Sequence, residues 1–88
     1  MFSKEITILN ATGLHARPAS MFVQEAGKFK SDIYVIKEGK KINAKSIMGI
    51  MAGGIAKGTQ VTIEAAGDDE EQAVETLVAL IESKFGEE

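Results

Sequence analysis

The residue order predicts an α+β fold, an open-faced two-layer sandwich with its elements in the order β-α-β-β-α-β-α. Three observations carry this. Short segments rich in β-branched residues alternate apolar and polar side chains with period two. Two longer segments repeat apolar residues at i, i+3, i+4 and i+7, the mark of a helix with one buried face. Glycine, proline and asparagine punctuate the joins. With a single apolar face each, both long helices can lie on one side of a sheet, leaving the other side partly exposed.

Residues 2–9, FSKEITIL, read as a strand with Ile6 and Ile8 on one face, and NATG at 10–13 is turn chemistry. From Pro18 the period changes to that of a helix. Ala19, Phe22, Val23 and Ala26 make its apolar stripe, Pro18 suits the first turn, and Gly27 is placed as its stop. DIYVIK at 32–37 is a strand, EGK turns at Gly39, and KINA at 41–44 returns as a short strand. Ser46 then precedes IMGIMA, an apolar stretch weakened as a helix by Gly49, and Gly53, Gly54 and Gly58 break the chain. TQVTIEAA at 59–66 is a strand with Val61, Ile63 and Ala65 in phase. In the last helix Asp68 and Glu71 resemble a capping box, and Val74, Leu77, Val78, Ile81 and Phe85 form the stripe. Lys84 falls in its last turn and Gly86 follows as the stop. The four acids at 68–71 sit where the helix dipole favours negative charge. They read as capping, because a metal site needs acids converging from elsewhere.

Eighty-eight residues make one small domain, 1–88, near the low end of what folds unaided. No cysteine is present, so disulfides and thiolate metal sites are excluded, and a reducing cytoplasm fits. No targeting segment opens the chain, and no apolar run approaches the ~18 residues of a membrane span. A soluble protein without membrane contact is expected. The net charge of −3 is unevenly spread: residues 1–45 hold eight basic and four acidic side chains, residues 46–88 two and nine. That asymmetry suits an acidic partner for one face, or a solvated surface whose charges are unmixed.

GLHARPAS at 13–20 holds the only histidine, His15, and the only proline. His15 lies in a short loop between strand and helix and directly precedes a helix N-terminus, where unpaired amides attract anions. Arg17 follows two residues on, and guanidinium is the preferred fork for phosphate or carboxylate oxygens. Gly13 permits the turn, Leu14 anchors the loop, and Ala16 keeps the approach small. A neutral imidazole is a capable nucleophile. Its phosphoramidate is labile because protonation turns the nitrogen into a good leaving group, which suits a carrier. A nucleophilic triad lacks its partners, and one histidine without cysteine makes zinc improbable. GIMAGG lacks the lysine and context of a nucleotide loop. No metal or cofactor is expected.

Ser46 stands at a natural N-cap, which accounts for a serine by itself. A phosphate there would meet the same favourable dipole and add roughly −1.5 to −2 charge to the surface around it. Ile47, Met48, Ile50 and Met51 cannot all be buried on so short a helix. Ile47 and Ile50 suit the core, while Met48 and Met51 are the better candidates for exposure on a surface serving several partners.

GLHARPA, followed about thirty residues on by KSIMGIM, closely resembles the HPr family of the bacterial phosphoenolpyruvate:sugar phosphotransferase system, in the form that carries a regulatory serine. The resemblance spans essentially the whole chain. It implies a four-stranded antiparallel sheet with three helices, and a cytoplasmic monomer. It implies that His15 accepts phosphoryl at Nδ1 from phospho-enzyme I, assisted by Arg17, and passes it to sugar-specific IIA domains. Ser46 would be the target of the HPr kinase/phosphorylase, and its phosphorylated form a corepressor with catabolite control protein A. Ala16, Ser20, Ile47, Met48 and Met51 would line the docking surface. The AGG at 52–54 departs from the family pattern and leaves the end of the short helix loosely specified. Thr12 is not carried over as a modification site. His15 separates the chain from a relative with glutamine at that place.

Two other functions have distinct signatures. A purely regulatory module would work through Ser46 and not need His15. A nucleic-acid binder would use the basic N-terminal half, but one tyrosine, no clustered aromatics and a net charge of −3 argue against it.

Overall fold

The computed structural model describes residues 1–87. Four strands and three helices follow in the expected order: β1 (Phe2–Thr7), α1 (Ala16–Ala26), β2 (Asp32–Lys37), β3 (Lys40–Asn43), α2 (Ile47–Ala52), β4 (Gln60–Ala66) and α3 (Glu70–Glu82). A one-turn 3-10 segment, Lys84–Gly86, follows. The strands form one antiparallel sheet in the order β1-β4-β2-β3. β4 lies between the N-terminal strand and the hairpin, with Ile63 opposite both Lys4 and Val35.

Alternation along the two central strands sets the layers. Ile33, Val35, Val61, Ile63 and Ala65 are buried beneath the helices, while Tyr34, Ile36, Thr62 and Glu64 remain half-buried on the open face. Phe22 and Ala26 of α1, Ile50 of α2, and Val74, Leu77 and Ile81 of α3 close the same core. α3 packs on β4 and β1, and α1 packs on both other helices. No helix among the described residues is long and apolar enough to cross a membrane.

Element ends depart from expectation in informative ways. β1 stops at Thr7. Ile8 is buried beyond the ladder, with its N–H on Thr59 O at 2.9 Å and its carbonyl held by Gly58 N–H at 2.7 Å. β3 starts one residue early because Glu38 and Gly39 alone make the turn, both with positive φ (51° and 80°), the mirror-image geometry that suits strand twist. α1 begins at Ala16, with Pro18 still inside its first turn, and Val23 is only half-buried. Gly27 ends it in right-handed geometry, so the stop does not use glycine's left-handed freedom. α2 ends at Ala52. A Cβ on Gly53 would come within 2.7 Å of Ile42 Cδ1, so glycine there lets the hairpin close on the helix, and Gly54 makes the left-handed exit at φ 66°.

The capping box of α3 is not Asp68 with Glu71. Glu70 Oε1 accepts the Gly67 N–H at 3.1 Å, one residue earlier, and Asp69 binds Lys30 and Ser31 instead of its own helix. α3 also ends before Lys84, which lies in the following turn. Phe85 is buried, yet it reaches the core from that left-handed turn and not as part of the helical stripe.

Candidate functional site

The loop carrying His15 is tied down on its inner side. Gly13 N–H donates to Asn10 O at 3.1 Å, Asn10 Nδ2 donates to Gly13 O at 2.9 Å, and Leu14 N–H donates to Ile55 O at 2.8 Å. Leu14 is fully buried, as its anchoring role requires. Gly13 has φ 64°, and a Cβ there would collide with the Ile55 carbonyl and lie 2.8 Å from Ala56 Cα. Only glycine meets both demands.

His15 is the N-cap residue of α1, in extended backbone (φ −125°, ψ 156°), and its ring makes no capping hydrogen bond. The imidazole is exposed, with neither nitrogen committed to the helix. Ala16 follows at φ 50°, a left-handed conformation disfavoured for alanine and found where surroundings over-determine the backbone. Arg17 is exposed, and among the described residues no carboxylate lies within ion-pair distance of it. An exposed imidazole without a capping bond and an exposed guanidinium two residues on therefore stand at the N-terminal end of an 11-residue helix.

Ser46 caps α2, its Oγ accepting the Gly49 N–H at 3.1 Å. Behind it, Ser46 N–H donates to Asn43 O at 3.1 Å and Lys45 N–H to Asn43 Oδ1 at 2.9 Å. Met48 is 81% exposed, Met51 43% and Ile47 39%, whereas Ile50 is fully buried. Ile47 thus joins the methionines on the surface and not Ile50 in the core. Ala16 is exposed and Ser20 half-buried on α1, the helix that packs against α2.

A groove of about 440 Å³ lies between the β2–β3 hairpin and α2, lined by Lys37, Lys40, Ile42, Ser46, Gly49 and Gly53. His15 is not part of it. An imidazole on an open surface suits contact with a macromolecule better than enclosure of a small substrate. Among the described residues no three histidine, cysteine or acidic side chains gather as metal ligands.

One neighbour of the loop escapes sequence reasoning. Glu87 Oε2 accepts the Thr12 hydroxyl at 2.8 Å, and Oε1 lies 3.4 Å from both Thr12 N and Asn10 Nδ2. The Thr12 hydroxyl holds the Glu87 carboxyl below the usual carboxylate range. An acid after a glycine stop carries no local signal of a partner 75 residues earlier.

A family model described as the PTS HPr component phosphorylation site matches residues 2–83. The chain is 49% identical over 84 residues to the HPr-like protein Crh of Halalkalibacterium halodurans, covering 96% of this chain and 100% of the relative. It is 49% identical over 81 residues to the phosphocarrier protein HPr of Haemophilus influenzae, covering 92% and 95%. Among solved structures, HPr from Thermoanaerobacter tengcongensis superposes with a TM-score of 0.98 at 61% identity, covering 100% of this chain and 99% of that one. Crh of Bacillus subtilis, described as a dimer with a swapping domain, gives 0.76 at 48% identity over 96% and 97%. Motif, fold and likeness over nearly the full length agree, and the chain belongs to the HPr family of the phosphotransferase system.

Proposed function

We propose that this chain is a cytoplasmic phosphocarrier whose His15 accepts a phosphoryl group from phospho-enzyme I and delivers it to sugar-specific IIA domains. The observation that carries the reading is the exposed imidazole at the N-terminus of α1, making no capping hydrogen bond, with the exposed Arg17 two residues on. The lone pair of Nδ1 forms the new N–P bond as the bond from phosphorus to the donor breaks, and the donor keeps that electron pair. Arg17 and the first amides of α1 balance the phosphoryl charge. Delivery reverses the step: phosphorus leaves Nδ1, and the imidazole returns to its starting form. The chain turns over no substrate of its own.

Ser46 is the regulatory position. A phosphate from the HPr kinase/phosphorylase would add roughly −1.5 to −2 charge beside Ile47, Met48 and Met51. That charge slows transfer from an acidic enzyme I surface and creates a feature for catabolite control protein A to read. The likeness to Crh favours a second reading, in which the chain acts only through Ser46. The presence of His15 favours the carrier. The chain acts as a monomer in the carrier reading, and a dimer mass by light scattering would overturn that part.

Intact-mass measurement separates the readings. Incubation with enzyme I and phosphoenolpyruvate should add one acid-labile, base-stable phosphoryl group, absent in His15→Ala. Incubation with the kinase and ATP should add one acid-stable group, absent in Ser46→Ala. An unchanged mass with enzyme I sinks the carrier reading and leaves the regulatory one.

A further inference from the structure

The chain does not simply end after α3. Lys84, Phe85 and Gly86 take successive left-handed φ values of 58°, 54° and 78°. Two of the three are not glycine, so surrounding contacts must hold this reversal in place. The reversal turns Phe85 into the core at 4% exposure and brings Glu87 back against the loop that leads to His15. There one carboxylate faces three donors: the Thr12 hydroxyl at 2.8 Å, and the Thr12 N–H and Asn10 Nδ2, both at 3.4 Å. Asn10 is buried, and the same amide nitrogen donates to Gly13 O at 2.9 Å. The carboxylate is therefore joined through Asn10 to the residue that positions Leu14. The His15 loop is thus held at Leu14 by the Ile55 carbonyl and at Asn10 and Thr12 by the C-terminal strap.

From this geometry we infer that Glu87 is a positioning residue for phosphoryl acceptance: the strap 83–87 fixes residues 10–13 and, through them, the imidazole of His15. The inference rests on the reading of His15 as the acceptor. Glu87 does not touch the phosphoryl group. It acts by removing slack. His15 stands two residues after Gly13 and one before the strained Ala16, so motion in the 10–13 turn passes to the ring and changes its position relative to Arg17 and the α1 amides. Phosphoryl transfer depends on such alignment, and misplacement of the attacking atom is expressed in rate. The effect of the strap is on geometry at the moment of transfer, not on the affinity of docking.

Rapid-quench kinetics of transfer from phospho-enzyme I to the full chain test this, with Glu87→Gln, Thr12→Val and the double variant. Glu87→Gln removes the charge and presents an amide NH₂ where an acceptor stood; Thr12→Val removes the strongest donor. Each should lower the maximal rate on the order of 5-fold with unchanged KM for the carrier, short of the ~100-fold that a full ångström of misplacement produces. Because both break one contact, the double variant should be no slower than the slower single variant. Wild-type rates in both variants would overturn the inference, as would losses that multiply in the double variant. A raised KM at unchanged maximal rate would also overturn it, by making Glu87 a docking contact. Thermal melting of each variant confirms that it is folded at the assay temperature, so that lost rate does not report lost structure. Failure of the wild-type chain to gain phosphoryl on His15 is a separate result, seen before any variant is compared; it removes the carrier reading and this inference with it.

Discussion

Asp69, at the start of α3, grips Ser31, at the start of β2, by both of its donors: Oδ1 accepts the Ser31 N–H at 3.0 Å and its hydroxyl at 2.5 Å. Oδ2 takes the Lys30 N–H at 2.9 Å. The hydrogen bond from the Ser31 hydroxyl, followed by that from Lys30 N–H, lowers the Asp69 carboxyl from 3.8 to about 2. A carboxyl depressed on folding stabilises the fold above its unfolded value, and the contribution is lost as pH falls through the folded value. Acid unfolding should therefore include a component between about pH 4 and 2 that Asp69→Asn lacks. Urea midpoints measured across that range check it: the two proteins should differ at pH 7 and converge near pH 2.

Ser46→Ala leaves the Gly49 amide without its acceptor and should cost about 1 kcal/mol. Ser46→Asp keeps an oxygen at the cap and should unfold close to wild type, yet accept phosphoryl from enzyme I more slowly. Urea unfolding together with the transfer assay separates the two roles of this residue. Equal transfer rates for Ser46→Asp and wild type would count against charge as the regulatory signal.

Gly13→Ala places a Cβ against the Ile55 carbonyl at a backbone φ of 64°. The left-handed strain alone is roughly 1–3 kcal/mol, and the collision adds to it by pushing the loop off the 55–56 segment. The melting temperature should fall, and any folded fraction should accept phosphoryl poorly because the His15 loop has moved. A variant that melts and transfers like wild type would show that this approach is not needed.

Met48 and Ile50 sit two residues apart on one short helix with opposite expected behaviour. Met48→Lys changes a side chain that is 81% exposed and should shift stability by no more than about 0.5 kcal/mol, while weakening binding to enzyme I or IIA domains in calorimetry. Ile50→Ala empties a fully buried position and should cost roughly 2–5 kcal/mol. If Met48→Lys leaves both stability and partner affinity unchanged, the α2 surface is not a docking surface.

What the sequence makes legible follows the range of the interactions. β2 and β4 can be read within a residue because alternation and a two-residue turn are local. The His15 loop can be read because Gly13, His15, Arg17 and Pro18 act within one another's reach. Asp68 with Glu71 fits a capping pattern, but which amides need an acceptor depends on where the chain enters α3. Ser31 and Lys30 draw Asp69 away from a distant loop, and the cap falls to Glu70. Phe85 matches the helical spacing of Ile81 for the wrong reason, since a left-handed turn delivers it. Glu87 has no local pattern at all, because its partners are Asn10 and Thr12.

The sheet order has a consequence for the newborn chain. β1 is made first, but its only partner in the sheet is β4, so Phe2–Thr7 waits for Gln60–Ala66 to emerge from the ribosome. The β2–β3 hairpin can close early on its own turn, whereas the N-terminal segment spends most of synthesis unpaired. Ribosome-arrested chains that end before residue 60 should be cut readily by protease near the N-terminus, and chains that expose all of β4 should resist. Closure of the sheet is thus a late event, set by arrival of the one strand that joins β1 to the hairpin.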